Sequence, residues 1–128
     1  MKIRRIADKG ETKKKRVAAY ARVSTASEEQ QTSFDTQVGY YEKLIRQNPK
    51  WQYIGVYADE GLSGTSAERP ELKRMISDAL GGRIDIILVK SISRFARNVV
   101  DAQRYVHELR AANVEVRFER EGISSFDP

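Results

Sequence analysis

Tyr20, Arg22 and Ser24 stand two residues apart at the end of a short apolar run, Val17–Val23, which then breaks into polar sequence. Side chains alternate along an extended strand, so residues at this spacing share a face. A hydroxyl beside a fixed guanidinium suits attack on a phosphodiester, because preorganised cations offset the charge that gathers on the phosphoryl oxygens. A second group, Ser91-Ile-Ser93-Arg94-Phe-Ala-Arg97-Asn98, carries two more guanidiniums. If Ser93 caps a helix, Arg94 and Arg97 lie one turn apart near its positive end and make a phosphate clamp. The ordinary reading of the same residues is a solvated helix start whose arginines pair with carboxylates elsewhere.

Other residues are weaker candidates. Arg69, just before Pro70, is a cation that could swing toward the site, or a surface residue at a helix start. Gln31 and Gln37 could orient a phosphate oxygen, or simply flank an amphipathic helix. Asp59 could act as an acid, hold an arginine, or cap a turn. His107 falls in the middle of a helical pattern and suits a helix surface better than a catalytic triad. No HExxH, Cys/His cluster or GxxxxGK[ST] occurs, so neither a zinc site nor a Walker-type loop is indicated. No GxGxxG follows the first strand either.

The elements that must position these residues alternate. Val17–Val23 reads as a first strand, and Ser27 to Gln31 as a loop or a frayed helix start. Phe34, Val38, Tyr41 and Ile45 recur at helical spacing before the stop at Asn48-Pro49. Tyr53–Ala58 is a second strand, and Asp59 to Ala67, with Gly61 and Gly64, a loop. Pro70 opens a helix whose stripe is Leu72, Met75, Ile76, Ala79 and Leu80, ended by Gly81-Gly82. Ile84–Val89 is an aliphatic strand of the kind that helices cover on both faces. A helical region from about Arg94 to Ala112 and a fourth strand, Val114–Phe118, complete the pattern, with a polar end from Glu121 to Pro128. This alternation predicts an α/β fold: an open, three-layer, largely parallel sheet with its crevice beyond the carboxyl ends of the strands. Ser24, Asp59, Ser91–Arg97 and Glu119-Arg120 all fall at that edge.

At 128 residues, 40% hydrophobic and 32% charged, the sequence fits one soluble domain. The net charge of +5 is uneven. Residues 1–16 hold eight Lys or Arg against Asp8 and Glu11, whereas the rest hold 15 basic and 16 acidic residues. The expected organisation is a basic flexible arm, 1–16, and one domain, 17–128. Such an arm gains affinity by neutralising phosphates, or remains a solvated tail. No apolar run reaches membrane-spanning length, no secretory leader is visible, and the absence of cysteine fits a cytoplasmic setting.

Taken together, Tyr20-Ala-Arg-Val-Ser-Thr25, Ser33-Phe-Asp-Thr-Gln37, Asp59 with Ser63-Gly64, Arg69, Ser91-Ile-Ser-Arg-Phe-Ala-Arg97 and Glu121-Gly-Ile-Ser124 resemble the catalytic domain of serine recombinases, the resolvase/invertase group. The motifs span about residues 16–126, and the Ile-Ser-Arg-Phe-Ala-Arg-Asn wording is most similar to the large, integrase and transposase-like branch. The resemblance implies a resolvase-like domain for site-specific DNA recombination. Ser24 would attack a phosphodiester to give a 5′-phosphoserine link and a free 3′-hydroxyl, with no metal or other cofactor. Arg22, Arg69, Arg94 and Arg97 would hold the scissile phosphate and lower the pKa of the serine. Tyr20, Gln31, Gln37, Asp59, Ser63 and Ser93 would support them. DNA would be the partner, with dimers and tetramers forming in the full-length protein. Small resolvases usually carry Asp where Ser93 stands, which leaves the proton donor to the leaving hydroxyl open, Asp59 or an arginine being the alternatives. The family also continues into a long dimerisation helix, so the chain reads as a catalytic domain truncated before it and inactive alone. The rival readings are a non-catalytic α/β module that binds an anion or nucleic acid, and a receiver-like or flavodoxin-like domain.

Overall fold

In the computed structural model, residues 13–24, 28–61 and 69–127 are described, with side chains for 13–22, 35–59 and 69–127. Five strands form one sheet: β1 (Lys15–Ser24), β2 (Trp51–Gly61), β3 (Ile86–Val89), β4 (Glu115–Phe118) and β5 (Ile123–Ser124). Their spatial order is β2-β1-β3-β4-β5, parallel throughout except for β5, which runs back antiparallel to β4. Gly122 makes that reversal with φ +68°, a left-handed conformation that a side chain resists.

Helices cover both faces, as the sequence predicts. On one face α1 (Glu28–Arg46) sets Tyr41 and Ile45 against Val17, Ala19, Ile86 and Leu88. On the other, α2 (Pro70–Leu80) buries Leu72, Met75, Ile76 and Ala79 over Ala18, Tyr20, Ile87 and Val89. The same core takes Phe95 from a single turn, α3 (Ile92–Phe95), and Ala102 and Leu109 from α4 (Val99–Ala111). Fully burying side chains of this size is worth about 1.5–3 kcal/mol each, so the two apolar layers carry the fold.

Three differences from the expected elements bear on the site. The predicted helix from Arg94 is two helices, broken at Ala96-Arg97-Asn98. Asn98 accepts the Asp101 N–H at 2.8 Å and so starts α4 afresh. Strand β2 runs on through Asp59 to Gly61, where a loop is predicted, and a bulge opposite Val17/Ala18 inserts one residue into it. That extra residue changes the phase of β2, pairing Tyr20 with Tyr57 and Arg22 with Asp59. Asp59 thereby joins Tyr20 on the α2 face. Lys15 and Arg16, read above as the end of the basic arm, are the first residues of β1. Arg16 grips Asp85 through Nε at 3.0 Å and through its backbone N–H at 2.7 Å.

Candidate active site

The strand order reverses between β1 and β3, and the crevice of an open α/β sheet lies beyond the carboxyl ends of two such strands. Ser24 is the last residue of β1, in register with Gly61. β3 ends at Val89, and Ser91, buried, begins the turn into α3. Ser91 caps that turn, accepting the Arg94 N–H at 3.4 Å. Ser93 is therefore not the cap. It is exposed inside the turn, with its Oγ 3.0 Å from the Ser91 Oγ. Glu121, beyond β4, accepts the Ile92 N–H at 3.3 Å and ties the turn to the far strand.

Arg94 spans the two switch-point strands. Its Nη1 donates to the carbonyl of Arg22, two residues before Ser24, while its own carbonyl accepts from Nη2 of Arg69. Arg69 is no surface residue: it is 7% exposed, and its Nε donates to the Tyr20 hydroxyl at 3.3 Å. The guanidinium carbon also lies 5.2 Å from the centre of the Tyr20 ring. Tyr20 in turn donates to Oδ2 of Asp59 at 2.8 Å. Asp59 then accepts the backbone N–H groups of Glu71 at 2.9 Å and Leu72 at 3.1 Å. A buried carboxylate thus caps α2 from a neighbouring strand, at the end where helix dipoles favour negative charge. The whole chain of bonds runs from α2 through Asp59, Tyr20, Arg69 and Arg94 to the end of β1.

Burial pushes the Tyr20 hydroxyl well above the ordinary tyrosine range, with Arg69 pulling it back and the bond to Asp59 raising it further. A phenol so held is a poor nucleophile. Asp59 accepts on both oxygens, so donating a proton to a leaving group would break its cap and its tyrosine bond together.

The other expected residues fall as follows. Arg22 and Gln37 are half-buried, the latter on α1. Arg97 is exposed in the break between α3 and α4, not one turn from Arg94 on a common helix. A single turn offers little helix dipole, so the clamp expected there reduces to the guanidiniums themselves. Ser63 and the side chains of Ser24 and Gln31 lie outside the described residues. His107 is exposed on α4.

One feature at the crevice escapes the sequence reading. Tyr40 and Tyr41 of α1 donate to the two oxygens of Glu119, at 3.0 and 2.9 Å, pinning α1 to the end of β4. Burial, followed by the Glu119 charge, holds the Tyr41 hydroxyl far above the ordinary range, and Arg94 opposes the shift. A Tyr-Tyr pair gives no hint of a partner 78 residues away.

Residues 17–128 match the resolvase N-terminal domain. The chain belongs to the resolvase family. It is 36% identical over 92 residues to the Transposon Tn21 resolvase of Escherichia coli, spanning 68% of this chain and 48% of that protein. Among solved structures it is similar to a resolvase family site-specific recombinase from Streptococcus pneumoniae, with TM-score 0.72 and 30% identity over 89% of this chain and 78% of that one. The N-terminal catalytic domain of TP901-1 integrase aligns with TM-score 0.65 and 30% identity, over 88% and 83% of the two chains. The chain spans about half the length, or less, of the curated relatives it matches. The resolvase fold therefore agrees with the α/β architecture drawn from sequence.

Proposed function

We propose that this chain is the catalytic domain of a site-specific DNA recombinase in which Ser24 is the nucleophile. The Ser24 Oγ bonds to phosphorus as the bond from phosphorus to the 3′ oxygen breaks. The Oγ proton passes to solvent, and the released 3′ oxygen takes up a proton. The product is a 5′-phosphoserine link that the 3′-hydroxyl of an exchanged strand reverses, with one phosphodiester exchanged for another. Arg22, Arg69, Arg94 and Arg97 hold the scissile phosphate and offset its transition-state charge. Gln31, Gln37, Ser63 and Ser93 support them, and Tyr20 and Asp59 keep Arg69 in place. DNA is the substrate, and exchange requires self-association of the complete protein.

The observation that carries this reading is the anchoring of Arg94 on the Arg22 carbonyl, two residues from Ser24 at the strand-order switch, with Arg69 locked on Arg94. Electrostatic catalysis needs cations whose positions are fixed before the reaction begins. The test uses the complete recombinase and a recombination site nicked so that cleavage cannot reverse. Denaturing gels are expected to show a protein–DNA adduct that Ser24→Ala abolishes and Arg94→Ala suppresses in a folded protein. An adduct that survives Ser24→Ala rejects the proposal.

A further inference from the structure

A cleft of about 240 Å³ opens between α2 and α4, lined by Arg69, Leu72, Lys73, Arg97, Asp101 and Tyr105. Arg69 forms the wall it shares with the candidate active site, and Leu72, fully buried, belongs to the core behind it. Its charge is lopsided. Asp101 lies 3.5 Å from Arg104, whereas among the described residues Lys73, Arg97 and Arg69 pair with no carboxylate. Cations left unpaired around a concave site focus a field on whatever anion enters. Two of the three come from the candidate phosphate site, while Lys73 is exposed on the first turn of α2. Its backbone N–H donates to the Arg69 carbonyl at 3.0 Å, and its ammonium has no part in the side-chain network that fixes Arg69.

We infer that this cleft is a second phosphate subsite, in which Lys73 contacts the DNA phosphate next to the scissile one. The inference rests on the phosphodiester reading of the site above. A strand entering the crevice brings its phosphates in sequence, each advancing about 3.4 Å along the duplex axis, so one held at Arg69 and Arg94 sets another against a nearby wall. Lys73 is a contact that positions the backbone without reading bases. Asp101, facing the same cleft, weakens that contact and limits non-specific retention.

The complete recombinase is titrated with a short duplex of mixed sequence at a series of salt concentrations, following fluorescence anisotropy. Lys73→Ala is expected to weaken binding about equally for unrelated sequences and to reduce the slope of log affinity against log salt by about 0.9, one phosphate contact. Lys73→Gln, which keeps most of the aliphatic stem, should give the same loss, and Asp101→Asn should tighten binding. An unchanged slope in both Lys73 variants, with Arg94→Ala reducing it, overturns the subsite and leaves the active-site reading standing. If neither position alters the slope, the subsite and the phosphate role of Arg94 both fall.

Discussion

Among the individual side chains, Tyr20 does the least obvious work. From the sequence it shares a strand face with Arg22 and Ser24, which invites a role in chemistry. In the structure its hydroxyl is a buried joint between Asp59 and Arg69. Tyr20→Phe keeps the ring and its cation–π contact but leaves Asp59 and Arg69 each short of a partner. The expected result is a loss of about 1–2 kcal/mol in unfolding free energy by urea titration, since a buried polar group loses its bond. Cleavage should fall more than DNA binding does, because Arg69 is then free to leave the geometry the reaction needs. A variant that matches the parent in both measurements would show that the hydroxyl positions nothing. Arg69 itself was legible as a cation near the site but not as a buried one. Its partners lie 49 and 25 residues away, beyond any local pattern.

The elements were legible where periodicity was strong and misread where a single residue decides the geometry. Of the predicted stripe, Leu72, Met75, Ile76 and Ala79 are buried while Leu80, at the end of α2, is exposed, and Pro70 opens the helix. The break at Ala96-Arg97-Asn98 falls in a sequence without Gly or Pro, so no strong local signal marks it. Ala96, extended, closes α3, and Asn98, an ordinary capping residue, starts α4. Gly61 and Gly64 mark Asp59 as the start of a loop, yet strand pairing with β1 continues through Gly61. Its role as a remote cap gives a prediction for α2. Asp59→Ala strips two backbone N–H groups of their acceptor and should cost about 1–2 kcal/mol. Hydrogen exchange should quicken first at Glu71 and Leu72. Loss confined to other helices would contradict the cap.

For the whole molecule, the alternation of strands and helices sufficed to predict a parallel sheet with its crevice at the carboxyl edge. Neither the strand order nor the antiparallel β5 could be read, because both rest on pairings between distant segments. The opposite edge of the sheet is pinned by Arg16 and Asp85, and hydrogen bonds from Arg16 hold the Asp85 carboxyl below the ordinary aspartate range. An unfolded aspartate titrates near about 3.9, so this contribution is complete above that value and lost as pH falls through the lower folded pKa. Asp85→Asn should therefore lower stability by about 1 kcal/mol at neutral pH, the pair being partly screened by solvent. The gap to the parent should close in acid. A gap that persists unchanged at low pH would mean that the charge is irrelevant.

The central claim is that Ser24 is the atom donor in strand exchange, and mapping the covalent link tests it most directly. Complete recombinase trapped on a nicked recombination site is digested with protease and nuclease, and the nucleotide-bearing peptide is sequenced by mass spectrometry. The account predicts a nucleotide joined through its 5′ phosphate to Ser24. A link to Tyr20 or any other residue, or through a 3′ phosphate, would contradict it.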